Sequence, residues 1–214
     1  MSAHMETFDS REEWLAHRRL GGSDISIAAG MNHWKTNVQL WREKSGLVKP
    51  EEVSNEFVIY GTKAEEFIRD LFALDFPEYE VFYEPNNLWT NDKYPYASAS
   101  LDGWLKDENG RLGVLEIKTA SISSGRAADQ WKGKIPDYYL AQLLWNMMVT
   151  EAGFGILVAQ LKYEIDGDMY KITRHYFVEG GWHQADFEFL QNEGEKFWRC
   201  VEEGREPALK LPEL

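Results

Sequence analysis

The sequence predicts an α/β (α+β) fold in which helices flank a mixed central β-sheet. Three observations predict this class. Helix-starting patterns fill the chain up to about residue 75, and a run of three strand-like stretches follows. An apolar helical stretch then separates this run from two further strands and a final helix. This order of elements is typical of one sheet covered by helices.

Four helices are predicted before the first strand. Ser10 with Glu13, and Thr36 with Gln39, form capping boxes, in which side chains and backbone N–H groups satisfy one another at a helix start. The predicted helices run from Ser10 toward Arg19, from Ser23 to near Gly30, from Thr36 to Gly46, and from Ser54 to about Leu74. Apolar residues recur at helical spacing along the last of them.

Five strands and two helices are predicted beyond residue 75. The strand-like stretches are YEVFYEPNNLW (79–89), YASASLDGWL (96–105), RLGVLEIKT (111–119), GFGILVAQLKY (153–163) and MYKITRHYFV (169–178). Asp166-Gly167-Asp168 predicts a hairpin turn between the last two strands. A largely buried helix is predicted in PDYYLAQLLWNMMVTEA (136–152), and a final helix from Trp182 to Glu203.

The length of 214 residues suits one compact domain. Its predicted parts are a terminus over 1–9 that could be flexible, N-terminal helices over 10–75, a site-bearing sheet with its helix over 79–178, and a C-terminal helix over 181–203. The pattern contains no internal repeat and no low-complexity linker, which supports a single unit.

Composition and charge exclude several functional classes. The single cysteine, Cys200, excludes an internal disulfide framework and a multi-cysteine zinc or iron–sulfur site. No apolar run approaches the length of a membrane span, and the N-terminus lacks the apolar centre of a signal peptide, so we expect a cytoplasmic protein without a membrane partner. The formal net charge of −13 opposes nucleic-acid binding unless a local basic groove or bound metal ions reverse the sign.

The hairpin around residues 106–111 predicts the position of two carboxylates. A three-residue loop that ends in glycine places Asp107 opposite Arg111. Because paired residue numbers keep a constant sum in an antiparallel ladder, the same register places Asp102 opposite Glu116. Lys118 lies two residues further on, and therefore on the same strand face as Glu116.

Two adjacent carboxylates repel unless something neutralises them. A divalent cation such as Mg²⁺ or Mn²⁺ prefers oxygen ligands, and a nearby lysine could orient a water for attack on a phosphodiester. Glu65 or Glu66, on the preceding helix, could add a further carboxylate. The competing interpretation is a surface hairpin in which Lys118 bridges two acids.

Four stretches of the chain resemble a known family. They are LGGSDISIAAGMNHWKTNVQLWREKSG (20–46), GTKAEEF (61–67), ASLDGWL with LEIKT (99–105 and 115–119), and YYLAQLLWNMMVT (138–150). In order and content they resemble the PD-(D/E)XK nuclease superfamily, and more closely its phage branch, the YqaJ-type viral recombinases and lambda-type alkaline exonucleases. The resemblance covers roughly residues 14–160 and implies a restriction-endonuclease-like core.

The resemblance implies roles for the acidic residues and the lysine. Asp102, Glu116 and the main-chain carbonyl of Ile117 would ligate Mg²⁺, or Mn²⁺ in its place, in a site for two ions. Lys118 would position or activate the attacking water. Glu65, four residues after a glycine that matches the family's Gly-x-x-x-Glu pattern, would act on the metal directly or through water.

Further matches lie on the second core helix and near the N-terminus. Gln142 matches a glutamine that helps to hold the site, and Ser23 matches a serine near the bound phosphate. An arginine before the Gly-Gly segment would bind a terminal phosphate. Arg18 and Arg19 both stand there, and the spacing favours Arg18 only slightly.

The resemblance also implies an activity and partners. It implies a Mg²⁺-dependent exodeoxyribonuclease that digests linear double-stranded DNA in the 5′-to-3′ direction, from an end with a 5′-phosphate, and leaves a 3′ single strand for recombination by strand annealing. Its members form a homotrimeric ring and work beside a single-strand annealing protein, in a bacterial or phage-infected cell. Arg126, Lys132 and Lys134, around Trp131, could contact the DNA backbone, although a solvated loop explains them equally well.

Three other functions fit the same residues. The core could belong to a structure-selective or restriction-type endonuclease, which would cut circular DNA. It could belong to a non-catalytic DNA-binding protein, although intact Asp102, Glu116 and Lys118 argue against that. The chain could also be an acidic protein-interaction module with a surface hairpin, which would gain no stability from metal ions.

Overall fold

The fold is known from a computed structural model that describes residues 2–50 and 55–212. Its helices are α1 (Arg11–His17), α2 (Gly22–Ala28), α3 (Asn37–Lys44), α4 (Glu56–Asp75), α5 (Gly125–Gln130), α6 (Asp137–Thr150) and α7 (Gln184–Glu202). Its strands are β1 (Ala3–Thr7), β2 (Glu80–Phe82), β3 (Asn87–Asn91), β4 (Gly103–Lys106), β5 (Leu112–Ile122), β6 (Phe154–Ile165) and β7 (Asp168–Glu179). A short 3₁₀ turn, Gly180–Trp182, precedes α7.

The central sheet is mixed, as the sequence predicts. Its five strands lie in the order β2-β4-β5-β6-β7. The pair β5 and β6 is parallel, and α5 and α6 form the crossover between them. The other three pairs are antiparallel. A crossover of this kind is required because parallel strands cannot be joined by a tight turn.

Helices cover both faces of this sheet. On one face, Ala64, Ile68 and Phe72 of α4 pack against Leu115 and Ile117 of β5. On the other face, α6 packs on the sheet, and α2 and α7 pack against α6. Alternate residues of β5 therefore enter two separate cores, and Glu116 points toward α6.

The predicted hairpin turn between the last two strands and the predicted register of the other hairpin are both confirmed. β6 and β7 are joined by Asp166 and Gly167, both at positive φ (54° and 86°), as in a two-residue type I′ turn. β4 pairs with β5 in the predicted register, in which Gly103 faces Leu115. The glycine of the connecting loop has a φ of +73°, and the carboxylate of Asp107 binds its cross-loop arginine.

Two helix starts follow the capping boxes of the sequence. The hydroxyl oxygen of Ser10 accepts a hydrogen bond from the N–H of Glu13, and that of Thr36 accepts one from Gln39. The predicted start of the long helix at Ser54 lies outside the described residues. Within them, the side chain of Asn55 caps α4.

The prediction that Ser23 caps a helix is wrong. Gly21 is the N-cap of α2, and its N–H donates to the carboxylate of Asp24 at 2.9 Å. Ser23 therefore lies inside the first turn of the helix. The aspartate caps the helix because it lies at the third helical position, from which its side chain can reach back to the N-cap.

Strand formation differs from the prediction in three places. Residues 1–9, in which no element was predicted and which could have been flexible, include β1, which pairs antiparallel with β3. The stretch 79–89 divides into β2 and β3, which lie in different sheets, because a turn with Asn86 at positive φ separates them. Of the stretch 96–105, only Gly103 to Leu105 lies in a strand, β4.

Candidate active site

The centre of the candidate site is a buried carboxylate. Glu116 is 1% exposed and lies between the buried apolar residues Leu115 and Ile117 of β5. Its oxygens accept hydrogen bonds from Gln142 Nε2 at 2.6 Å, from Asn146 Nδ2 at 3.0 Å and from the ammonium of Lys118. A carboxylate is tolerated at such depth only when it is paired and hydrogen-bonded, and these three donors meet that requirement.

The electrostatics of this pair work in opposite directions. Burial raises the pKa of Glu116; the ammonium of Lys118 lowers it again, and the charge of Asp102 raises it further, so the result is a raised pKa. For Lys118, burial alone would lower the pKa, but the charges of Glu116 and Asp102 outweigh it and the pKa is raised. The side chain of Lys118 is therefore protonated and positively charged beside the two carboxylates.

Asp102 lies at the point where the β4–β5 ladder ends. The ladder stops at Gly103, one residue short of the predicted Asp102–Glu116 pair. The carboxylate of Asp102, rather than its backbone, takes the N–H of Ile117 at 2.8 Å. This hydrogen bond holds the Asp102 carboxylate beside β5, so the predicted proximity to Glu116 is retained without a ladder pair.

Arg69 of α4 fixes the backbone at the same point. Its Nη1 donates to the main-chain carbonyl of Asp102 at 2.6 Å, and its guanidinium lies 3.7 Å from the ring centroid of Tyr83. The arginine is one helical turn beyond Glu65, so both reach toward the same end of β4.

Glu65 is the third acidic group of the site. Burial raises the pKa of Glu65 to about 7, and the nearby charge of Asp102 adds to this, while Lys118 and Arg69 pull in the opposite direction. One turn earlier, a Cβ on Gly61 would lie 3.3 Å from the hydroxyl of a β5 threonine. Glycine at this position therefore lets α4 approach β5 closely enough to bring Glu65 near Asp102.

The structure separates the two candidate phosphate-binding arginines. Arg18 Nη2 donates to the hydroxyl of Ser23 at 2.8 Å, whereas the guanidinium of Arg19 binds the carbonyl of Pro95. Arg18 thus lies beside Ser23, for which the family resemblance implies a place near the bound phosphate. Arg19 instead binds a main-chain carbonyl. The phosphate role of Arg18 and Ser23 stays a prediction.

A buried ion-pair cluster supports this turn. The carboxylate of Asp24 lies 3.3 Å from the guanidinium of Arg18 and 2.7 Å from the ammonium of Lys44. Burial by itself would raise the pKa of Asp24, but the two cations and the hydrogen bonds outweigh it, and the pKa is lowered. The aspartate is therefore ionised in the folded protein and links α2 to α1 and α3.

Gly22 brings the start of α2 close to the residues that hold the Glu116 carboxylate. A Cβ there would lie 2.4 Å from Asn146 Oδ1 and 3.1 Å from Gln142 Cγ, so only glycine permits this approach. Asn146 Oδ1 is buried and has no hydrogen-bond partner among the described residues. The amide of Asn146 thus lies between the turn of α2 and Glu116, with its nitrogen on the carboxylate.

The basic residues around Trp131 lie on α5 and the loop after it. Arg126, Lys132 and Lys134 are exposed, and in the described part of the chain none of them forms an ion pair. Lys134 lines a cavity of about 410 Å³ together with Tyr138. No described hydrogen bond connects these three residues to the carboxylates, so their DNA role stays a prediction.

The donor set of the site consists of oxygen atoms. Asp102 and Glu116 supply carboxylates, Ile117 supplies a carbonyl, and Glu65 lies near by, which are the ligand types that Mg²⁺ and Mn²⁺ prefer. Among residues 2–50 and 55–212, no three His, Cys, Asp or Glu side chains are close enough to hold an ion on their own. The set is therefore compatible with an ion that keeps part of its water shell, and the role of Glu65 stays a prediction.

Sequence reasoning missed two residues of the site, Asn146 and Arg69. Helical spacing contains the signal for both. Asn146 lies four residues after Gln142, and Arg69 lies four residues after Glu65, so each shares a helix face with a residue that the resemblance had selected.

The fold and the site define a class. A mixed sheet that places Asp102, Glu116 and Lys118 together, with an acidic helix on one face, is the restriction-endonuclease-like core of PD-(D/E)XK proteins. A model of the YqaJ-like viral recombinase domain matches residues 13–153, and the chain belongs to this family.

One curated relative and two solved proteins extend the comparison. The uncharacterized protein YqaJ of Bacillus subtilis strain 168 is 29% identical over an alignment of 170 residues, and the match covers 74% of this chain and 51% of the relative. The chain thus spans about half the length of that curated relative.

The solved structures share the fold. The alkaline exonuclease LHK-Exo of Laribacter hongkongensis, alone and in complex with dAMP, has 20% identity and a TM-score of 0.66, over 90% of this chain and 93% of its own. A phage related exonuclease from Haemophilus somnus 129PT has 11% identity and a TM-score of 0.54, over 89% and 98%. These likenesses confirm the predicted fold class.

Within the described residues, no helix is both long and apolar enough to cross a bilayer.

The contact between Asn146 and Glu116 predicts a loss of stability on truncation. Asn146→Ala leaves one buried carboxylate oxygen without a donor, so we expect the free energy of unfolding to fall by about 1–3 kcal/mol. Asn192→Ala, on the exposed face of α7, is the control and should stay within about 0.5 kcal/mol of the parent. Urea unfolding at pH 7 measures both variants. Equal stability of Asn146→Ala and the control would contradict the assigned contact.

The Asp24 cluster predicts a dependence of stability on pH. The folded-state pKa of Asp24 lies below the unfolded value of about 3.9, so its stabilisation is complete above that pH and is lost as the pH falls through the folded-state pKa. Asp24→Asn leaves two cations without their partner and should cost about 3 kcal/mol at pH 7.

Urea unfolding of the parent and of Asp24→Asn at pH 7 and pH 3 checks this expectation. The difference in unfolding free energy between the two proteins should shrink at pH 3. The control Asp168→Asn, at an exposed residue at the start of β7, should show no such pH-dependent difference. A gap of the same size at both pH values would show that the charge of Asp24 is not what stabilises the cluster.

Proposed function

We propose that this protein is a Mg²⁺-dependent exodeoxyribonuclease that digests linear double-stranded DNA in the 5′-to-3′ direction and leaves a 3′ single strand for recombination by annealing. The observation that carries the proposal is the buried Glu116 beside Asp102, with Lys118 at the rim. Membership of the YqaJ-like family supports it, as does the fold shared with an alkaline exonuclease that was solved with dAMP.

Asp102, Glu116 and the carbonyl of Ile117 would hold the metal, as one or two ions. When bound, Mg²⁺ or Mn²⁺ supplies electrostatic stabilisation of the phosphoryl oxygens and makes an attacking water more acidic. Gln142 and Asn146 keep the Glu116 carboxylate in one orientation, and Arg69 does the same for the backbone at Asp102. Preorganised groups of this kind need not rearrange as the reaction proceeds.

Lys118 has two tasks in this mechanism. In the structure its ammonium neutralises Glu116, which makes the buried carboxylate tolerable. A cation that binds Glu116 would take over this neutralisation and release the ammonium to the phosphate or to the attacking water. The lysine side chain is 18% exposed and lies over the ring of Tyr139 at 5.6 Å, so it can reach the solvent side.

Arg18 and Ser23 would bind the 5′-terminal phosphate of the substrate. The guanidinium and the hydroxyl are already joined at 2.8 Å, and an Arg fork is suited to bind phosphate through two parallel hydrogen bonds. Because Gly22 contacts Asn146, a phosphate held at this turn would stand close to the carboxylate that holds the ion. This arrangement supports attack near a 5′ end.

Partners and location follow from the proposed activity. We propose a homotrimer whose acidic exterior, with a net charge of −13, repels DNA from all but a locally basic path, to which Arg126, Lys132 and Lys134 would contribute. A single-strand annealing protein would receive the 3′ strand in the cytoplasm of a bacterial or phage-infected cell.

Digestion assays test the activity. With Mg²⁺, the protein should degrade linear duplex DNA with a 5′-phosphate and leave a covalently closed circle intact. Asp102→Asn should lower the activity by more than the roughly 10–100-fold that is lost when a residue that only orients a metal ligand is removed. Asp107→Asn, a carboxylate of the same hairpin that binds an arginine away from the site, is the matched control.

Two results would contradict the proposal. Cleavage of the closed circle would identify an endonuclease on the same core. Full activity of Asp102→Asn would show that the assigned carboxylate has no part in the reaction.

Thermal melting tests the metal site without an activity readout. At a Mg²⁺ concentration of 100 times Kd, binding to the folded state alone adds about 2.7 kcal/mol, or a rise in Tm of about 5–10 °C for a chain of this size. Glu116→Gln should abolish the rise, and Asp107→Asn should retain it. An unchanged Tm of the parent at saturating Mg²⁺, with sodium chloride at matched ionic strength as reference, would favour a protein-interaction module.

A further inference from the structure

A trough leads away from the catalytic lysine. One cavity of about 400 Å³ begins at Thr119, the residue after Lys118, and is lined by Trp34, Tyr138 and Lys162 among others. A second cavity of about 750 Å³ shares Lys162 with the first. The cavity that Lys134 lines, about 410 Å³, shares Tyr138 with the first. The three cavities thus adjoin one another through shared lining residues, and together they form the trough, a path that begins one residue beyond Lys118.

An exposed tryptophan stands on this path. Trp34 is 71% exposed, and its ring packs edge-on against Tyr138, with 5.2 Å between the centroids and 88° between the planes. So large an apolar area in water is not explained by packing, since most of the side chain contacts nothing in the described chain. Its indole face is available to a flat ligand.

The loop holds Trp34 in place before any ligand arrives. The side-chain oxygen of Asn32 accepts hydrogen bonds from the backbone N–H of Trp34 and of Lys35, at 2.9 and 3.2 Å. The ammonium of Lys35 binds Glu43 of α3 at 2.7 Å. Tyr138 in turn packs at a tilt against Tyr139, with 4.3 Å between the ring centroids, and Tyr139 neighbours Lys118. The ring is thus preorganised, which lowers the entropic cost of binding.

The chemistry of the walls fits a nucleic-acid strand. The cavity that begins at Thr119, next to Trp34, is lined by aromatic rings, by hydroxyl groups of β5 and by the ammonium of Lys162, and no described acidic residue lines it. Acidic residues line only its two neighbours, Glu56 and Glu164 in one and Asp137 in the other. The lining of the cavity next to Trp34 is unusual for a chain with 36 acidic residues and a net charge of −13. Aromatic faces stack on bases, while hydroxyl and ammonium groups bind phosphate oxygens.

We propose that Trp34, supported by Tyr138, is a base-stacking subsite for an unpaired nucleotide of the DNA strand at the active site. The occupant is an unpaired base, because a base inside a duplex already has both faces covered by its neighbours. This inference rests on the proposed nuclease function and names how its substrate is held next to the reacting phosphate.

Equilibrium binding tests the subsite separately from catalysis. Binding is measured by fluorescence anisotropy without metal, in an Asp102→Asn background that does not consume DNA. The probe is a 5′-phosphorylated duplex with a short unpaired 5′ end. Since stacking of one base on an aromatic ring is worth about 1–3 kcal/mol, Trp34→Ala should weaken binding roughly tenfold, and Trp34→Phe should retain most of the affinity.

Two controls isolate the stacking contribution. Trp182→Ala removes a tryptophan that is also highly exposed, at 82%, and lies in the turn after β7, away from the trough. This variant should bind the probe like the Asp102→Asn parent. A probe whose unpaired nucleotides lack bases should bind the parent and Trp34→Ala equally, because no ring is left to stack.

Three outcomes would overturn the subsite. They are unchanged affinity of Trp34→Ala, an equal loss in Trp182→Ala, and a loss of the same size with the abasic probe. Failure of the nuclease proposal gives a different result. In that case the protein without any substitution would cleave no DNA in the digestion assay, whatever affinity the Trp34 variants show in the binding assay.

Discussion

The structure depends on keeping one carboxylate, that of Glu116, inside the protein. An ionised group at 1% exposure costs several kcal/mol unless donors surround it. Lys118 comes from the same strand, whereas Gln142 and Asn146 come from α6, so the carboxylate ties β5 to the helix that covers it. The contact of Gly22 with Asn146 extends this constraint to α2. The site and the packing of these elements therefore have a common cause.

The second constraint is the point at which β4 ends. Because the β4–β5 ladder stops at Gly103, the side chain of Asp102 takes the N–H of Ile117 and turns toward Glu116. Arg69 holds the carbonyl of the same aspartate. Two negative groups are thereby held together at the edge of two cores, where neither can move away, and a bound cation would relieve their repulsion.

Local signals in the sequence were sufficient for much of this arrangement. The loop that joins Asp107 to Arg111 set the register of β4 and β5, and from it the neighbourhood of Asp102 and Glu116 could be derived without any family resemblance. The capping boxes at Ser10 and Thr36 placed two helices for the same reason, since each depends on residues three positions apart.

Contacts between distant residues could not be derived in this way. Pairing of β1 with β3 joins residues that are 80 to 88 positions apart, and neither stretch contains a local signal for its partner. The sequence alone does not distinguish Arg18 from Arg19, because the difference depends on a contact of Arg19 with the distant carbonyl of Pro95. Asn146 had a helical-spacing signal, but its importance depends on Gly22, which approaches from another element.

The central claim is that Asp102, Glu116 and the carbonyl of Ile117 form an ion site. Anomalous diffraction from crystals grown with Mn²⁺ tests it most directly, because the signal locates the ion without any assay. The account predicts a peak within ligand distance of all three groups, and its absence in crystals of Glu116→Gln. A saturated crystal with no peak there, or with its peak held by other residues, would contradict the account.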